Sequence, residues 1–191
     1  MIHFRSLTLT LIFILYSCSA SANGEINISS DFLSGFTHPL LGWDHVVAMV
    51  AVGLWGAFLG RPSIWGLPIS FPVIMLFGGA LGFYGVDLPL VETGIAASAI
   101  VLGAMITFVI RPPLWYAMII VGIFAIYHGH AHGTELPNSA NPFSYSLGFF
   151  LATGLLHLIG ITLGFFIKWP IGKIAAQILG VVIILVGISF L

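Results

Sequence analysis

The chain has 191 residues, of which 59% are hydrophobic and only 6% charged, with a formal net charge of −1. A soluble globular protein carries about a quarter charged residues, so a water-facing surface of ordinary polarity is excluded and an integral membrane protein is expected. Five basic residues in all leave no basic patch for nucleic acid, and no polar stretch is long enough for a second soluble domain.

The amino-terminal residues differ from the rest. His3 and Arg5 precede an apolar run from Leu7 to Tyr16, followed by the small-residue string "SCSASANG". This reads as a secretory signal peptide over residues 1–22, with Ala20-Ser21-Ala22 as an A-x-A cleavage site. The run is too short to cross about 30 Å of hydrocarbon. Two alternatives stay open, an uncleaved anchor and lipoprotein processing at Cys18. Cys18 is the only cysteine, so no intramolecular disulfide and no thiolate metal site is expected in the mature chain.

After a short polar segment, "NGEINISSDFLSGFT", hydropathy divides the chain into six apolar stretches punctuated by charge and proline. They run from His38 to Gly60, Trp65 to Val86, Glu92 to Ile110, Leu114 to His132, Phe143 to Ile167 and Lys173 to Leu191. Each is long enough to cross as a helix at about 1.5 Å per residue. The expected fold is all-α: a polytopic bundle of six transmembrane helices over residues 23–191, behind the signal peptide.

If the signal peptide delivers the new terminus to the far side, the turns after helices one, three and five face the cytoplasm. They read "GRPSIWG", "RPPLW" and "KWPIGK" and hold Arg61, Arg111, Lys168 and Lys173, as the positive-inside rule requires. Trp65, Trp115 and Trp169 fall at the depth of an aromatic belt. The opposite loops contain Asp87, Glu92 and Glu135. An inner-membrane protein of a bacterium with both mature termini in the periplasm is expected. Gly-rich faces such as "GGALGFYG" suit close helix packing.

Polar residues gather at the end that faces outward. In "IYHGHAHGTELP", at the end of the fourth stretch, His128, His132 and Glu135 lie at i, i+4 and i+7 and share a helical face, while His130 points away. The four-residue spacing gives two imidazoles that can hold one divalent metal. Gly133 and Pro137 make helix continuity as far as Glu135 uncertain. In "THPLLGWDHVVAMVAVG", at the start of the first stretch, Pro39 suits a first helical turn. His38 and His45 fall on one face there, with Asp44 about 100° round and Met49 one turn deeper. An ionisable residue inside the membrane is a functional candidate by default. In the fifth stretch His157 lies about 21 Å along the axis from Phe143, on the same helix as Ser146 and Thr153. Each group also has a plainer reading: His157 as an interhelical hydrogen-bond partner, Asp44 as an orienting partner of His45, the helix-four histidines as a solvated cap, and Met49 and Met105 as core packing. Two histidine–carboxylate clusters at one membrane face, with a third histidine deeper, favour a metal-related role.

Imidazole and carboxylate without thiolate suit Ni²⁺, Co²⁺, Zn²⁺ or Fe²⁺. A site open to the outside with a sparse polar trail inward fits a permease better than a store. "HPLLGWDH" matches H-x-x-x-x-x-D-H, and "YHGHAHGTE" matches F-H-G-x-[AV]-H-G-x-E except that Tyr127 replaces Phe. These motifs resemble the two signatures of the HupE/UreJ family of nickel/cobalt permeases, and "GFFLATGLLHLIG" is similar to that family's fifth-helix segment. The resemblance covers the chain from about His38 on, together with the signal peptide. It implies metal-handling roles for His38, Asp44, His45, His128, His132 and Glu135. His130 occupies the variable position. It also implies uptake of Ni²⁺ or Co²⁺, as cargo and not as a resident cofactor, for hydrogenase, urease or cobalamin synthesis.

In the expected mechanism, hydrated metal is captured by the histidines of helices one and four, loses water to imidazoles and Asp44, and moves inward past His157. The expected partners are the divalent ion and the lipid bilayer, and a homo-oligomer is compatible with the sequence. No G-x-x-x-x-G-K-[ST] motif is present, so facilitated diffusion or secondary transport is expected. Rival readings are a membrane metallohydrolase, a di-iron enzyme built on the H-x-x-x-H pair, and a metal-binding accessory or sensor that transports nothing.

Overall fold

The computed structural model describes residues 28–136 and 140–191, so the expected signal peptide over residues 1–22 lies outside the described residues. Those described form seven α-helices and no strand: α1 Ile28–Leu41, α2 Trp43–Leu59, α3 Ser63–Phe83, α4 Val91–Thr107, α5 Leu114–Glu135, α6 Pro142–Phe165 and α7 Pro170–Ile188. One 3-10 turn, Phe166–Lys168, joins α6 to α7. Helices α3, α5, α6 and α7 are long and apolar enough to cross a membrane, and α4 is a shorter apolar helix.

The first expected stretch needs a correction. No single helix runs from His38 to Gly60: the chain is already helical from Ile28, and it bends by 82° between α1 and α2. Pro39 lacks the N–H that would bond the Gly35 carbonyl and so weakens the last turn of α1. Gly42 then takes an extended conformation at φ −92°, ψ 112°. A side chain there would press on the Asp44 carboxylate, 2.8 Å from an added Cβ, and on the His45 ring, so the bend and the Asp44–His45 pair depend on the same glycine.

The bundle is apolar on its outside. Ile69, Val73 and Phe77 of α3, Leu151, Leu155 and Ile159 of α6, and Ile178, Val182 and Leu185 of α7 are exposed. In water such a surface would aggregate; against lipid it is the favourable one. The chain is a membrane protein. Helix α2 occupies the middle, with Met49, Val52, Leu54, Trp55 and Phe58 in the core.

Glycines set how closely the helices approach. A Cβ on Gly129 or Gly133 of α5 would strike the backbone carbonyls of Met75 and Gly79 on α3, and one on Gly53 of α2 would strike the His157 carbonyl on α6. Backbones in contact gain dispersion that lipid cannot replace. The two α5 glycines each follow a histidine and lie about 100° round the helix from His128 and His132, so packing α5 on α3 leaves those imidazoles facing His45 of α2. At the other end of the bundle, Trp55 donates its indole N–H to the Ile110 carbonyl at 3.2 Å and Arg111 sits 4.5 Å over the Phe58 ring. Arg61 and Arg111 thus share one end, away from the histidines of α5.

Candidate metal centre

Helix α5 continues through Gly133 to Glu135. Its i, i+4, i+7 face carries His128, His132 and Glu135, with His128 and His132 buried. His130 points to the opposite side, where its Nε2–H donates to the Val86 carbonyl at 2.7 Å. That carbonyl belongs to the turn after α3, closed by Gly85 at φ 72° and by the Val86 N–H bonding back to the Leu81 carbonyl. His130 therefore ties α5 to the α3–α4 turn through Nε2, while its Nδ1 is buried without a partner on that side, away from the face of His128 and His132.

The bend between α1 and α2 changes what His38 and His45 can reach. On one straight helix, seven residues would hold them about 10 Å apart along the axis, too far for a single ion. Folded across the bend, both approach α5: the His38 ring lies 4.9 Å from that of His132, and the His45 ring lies 4.5 Å from His132 and 5.0 Å from His128.

These side chains divide into a mouth and an interior that share His132. At the mouth, His38 Nε2 is 3.1 Å and His132 Nδ1 is 3.7 Å from Glu135 Oε2. Ligand atoms of all three lie within 4.8 Å of one another. An ion bound at about 2.1 Å from each ligand needs donors no more than about 4.2 Å apart, so the set requires an adjustment of only a few tenths of an ångström. The Glu135 side chain is half exposed and that of His132 only 7% exposed, so the group leads from solvent into the protein. The proton shared by His38 and Glu135 lies where a cation would displace it.

In the interior, the hydrogen bonds assign the ring tautomers. The Asp44 carboxylate accepts from His45 Nδ1 at 2.9 Å, which in the neutral ring leaves His45 Nε2 as the lone-pair nitrogen. Ser98 of α4 donates its single hydroxyl proton to the Ile95 carbonyl at 2.6 Å, so its 2.9 Å contact with His128 Nε2 must be donated by the ring. His128 Nδ1 therefore carries the lone pair. His45 Nε2, His128 Nδ1 and both nitrogens of His132 are buried with no hydrogen-bond partner. Buried polar atoms left unpaired cost about 1–3 kcal/mol each; several imidazole nitrogens left so in one pocket have the chemistry of a ligand set for a divalent cation.

His157 is not part of this group. It is buried on α6, and neither of its ring nitrogens has a partner. Its nearest aromatic neighbour is Phe71 of α3, at 5.5 Å between centroids, and the same Phe71 ring lies 5.6 Å from His128. Six of the seven expected site residues thus converge and the seventh stands apart, beyond a phenylalanine.

Four residues of the site carry no sequence pattern of their own. Phe149 packs 4.1 Å from His132, and both Tyr145 and Phe149 flank His38. Ser98 and Phe71 are the others. Ser98 offers one faint signal, a hydroxyl within the apolar run "AASAIVLG"; the three aromatics look like any lipid-soluble side chain.

A family model described as HupE / UreJ protein matches residues 11–190. The chain is 40% identical over 171 residues to Protein HupE of Rhizobium leguminosarum bv. viciae, covering 89% of this chain and 90% of that protein. No solved structure matches it. With the match extending over nearly its whole length, this chain belongs to the HupE/UreJ family.

Proposed function

We propose that this protein is a permease that takes up a divalent transition metal, Ni²⁺ or Co²⁺, across the bacterial inner membrane by facilitated diffusion or secondary transport. The observation that carries the reading is the pocket where His38, Asp44, His45, His128, His132 and Glu135 meet, with lone pairs of three imidazoles buried and unpartnered. Imidazole with carboxylate fits borderline metals. The ion is captured at the half-exposed mouth, passes through His132 to the interior nitrogens, and continues toward His157. Membership of a family associated with nickel and cobalt uptake supports the choice of cargo and a role in supplying hydrogenase, urease or cobalamin synthesis.

The topology proposed with it has six crossings, α2 to α7, over a mature domain of residues 23–191. Helices α2 and α4, with 17 residues each, span about 25 Å, a little short of the hydrocarbon, and need their flanking turns to complete the crossing. An even number of crossings puts both ends of the mature chain on one side, the periplasm, with Arg61, Arg111, Lys168 and Lys173 in the cytoplasm. Assembly as a homo-oligomer is compatible with this topology.

A hydrolase is less well supported, because both carboxylates of the pocket already accept from imidazoles and neither is left as a free general base. The test is transport of Ni²⁺, Co²⁺ and Zn²⁺, singly and in competition, into proteoliposomes holding wild type, His45→Ala or His132→Ala. Uptake by wild type that falls at least tenfold in both variants is expected. Binding in detergent without flux would instead identify an accessory or sensor protein.

A further inference from the structure

The route from the histidine pocket to His157 meets an apolar obstruction. From the Glu135 end of α5, His128 lies about 10 Å deep, whereas His157 lies about 22 Å from the Pro142 end of α6. Phe71 covers this gap: its ring contacts both imidazoles edge-on, at 5.6 and 5.5 Å, with interplanar angles of 61° and 82°. Phe71 is fully buried. Polar groups without partners lie on either side of it, His128 Nδ1 above and both His157 nitrogens below, with Thr153 Oγ1 one turn from His157 on the same face of α6. An aromatic ring between two sets of unpaired polar atoms is a hydrophobic constriction, which stops ions by excluding water.

The backbone under that ring is unusual. Phe71 stands between Pro68 and Pro72 inside α3, and each proline removes one hydrogen bond from the helical ladder. Pro72 in particular has no N–H for the Pro68 carbonyl. That carbonyl lies within reach of the His157 ring, although neither His157 nitrogen makes a fully formed hydrogen bond. Interrupted helices bearing free carbonyls are the means by which membrane transporters supply oxygen ligands at mid-depth. The obstruction thus sits on the segment of α3 with the weakest ladder, beside an imidazole and a carbonyl that has lost its i+4 partner.

We infer that Phe71 is the gate of the permeation path: its ring separates the outer histidine pocket from an inner cation station formed by His157, the Pro68 carbonyl and the Thr153 hydroxyl, and ions cross when it swings aside. The inference rests on the permease reading, so its test uses one measurement that depends on transport and one that does not. In the first, initial Co²⁺ uptake into proteoliposomes is compared for wild type, Phe71→Ala, Phe71→Leu and Phe71→Trp, beside Co²⁺ affinity in detergent. Phe71→Leu keeps much of the apolar volume in case Phe71→Ala does not fold. Uptake at least fivefold faster in the smaller variants and at least fivefold slower in Phe71→Trp, with affinity held within threefold, is expected. Rates that stay within twofold of wild type, or that change only in step with affinity, overturn the gate.

In the second, His157→Cys is made with Cys18→Ser, and a small membrane-impermeant cationic methanethiosulfonate is added from the histidine side. Modification at least tenfold faster when Phe71→Leu or Phe71→Ala is also present is expected; equal rates overturn the gate. Faster modification with no Co²⁺ flux in any protein would uphold the barrier while removing the permease reading. Flux in wild type, with both flux and modification indifferent to residue 71, would do the reverse.

Discussion

Substituting Ser98 by Ala tests the tautomer argument at a residue that touches no metal ligand atom. The Ser98 hydroxyl gives its proton to the Ile95 carbonyl at 2.6 Å and accepts the His128 Nε2–H at 2.9 Å, so it holds the proton on Nε2 and leaves Nδ1 free. Alanine removes the acceptor. His128 must then keep a buried N–H unpaired or move the proton to Nδ1, where it blocks the lone pair. An unpaired buried donor costs about 1–3 kcal/mol, and loss of a group that orients a metal-binding histidine weakens metal affinity about 10- to 100-fold, or about 1.4–2.7 kcal/mol. The helix itself is not at risk, because alanine is the better helix former. The assay is Co²⁺ titration in detergent followed by ligand-field absorption, with His128→Ala as the lower bound on affinity and circular dichroism as the check on folding. Folded Ser98→Ala protein with affinity within twofold of wild type would refute the assignment.

Uptake should depend on pH in the direction that imidazole coordination dictates. A ligand nitrogen must be unprotonated, and an ordinary histidine titrates near about 6.5, so initial Ni²⁺ or Co²⁺ uptake is expected to fall as pH drops below about 6; a flat profile from pH 5 to 8 would contradict histidine capture. His130→Ala removes the bond to the Val86 carbonyl and should cost about 1 kcal/mol of stability, seen as a lower melting temperature, while uptake stays within twofold; a loss as large as that of His132→Ala would put His130 back in the pathway. Gly133→Ala forces a Cβ against the Gly79 backbone carbonyl, and overpacking of this kind costs about 1–3 kcal/mol. Its melting temperature in detergent should fall by several degrees, and an unchanged value would mean that α3 and α5 pack less tightly than described.

Much of this protein is legible from the sequence because lipid imposes few solutions. Backbone groups in hydrocarbon must bond internally, so long apolar runs become helices, and five of the six expected stretches match a helix to within a few residues at most ends. Helical periodicity alone puts His128, His132 and Glu135 on one face and His130 on another, since that relation involves one element and a fixed rotation per residue. Relations between elements do not follow from that rotation. The α1–α2 bend depends on Gly42 making room for the Asp44–His45 pair, and it brings His38 beside Glu135 rather than about two turns above His45. Ser98 selects the His128 nitrogen from a different helix, and Phe71 comes to lie between two histidines only because α3 packs near both α5 and α6. Composition and periodicity determined which residues are polar within the membrane and which way each helix turns them; the tertiary structure decided which of them meet, because contact between helices depends on backbone approach at glycines and on bends at proline and glycine, which no one-dimensional pattern encodes.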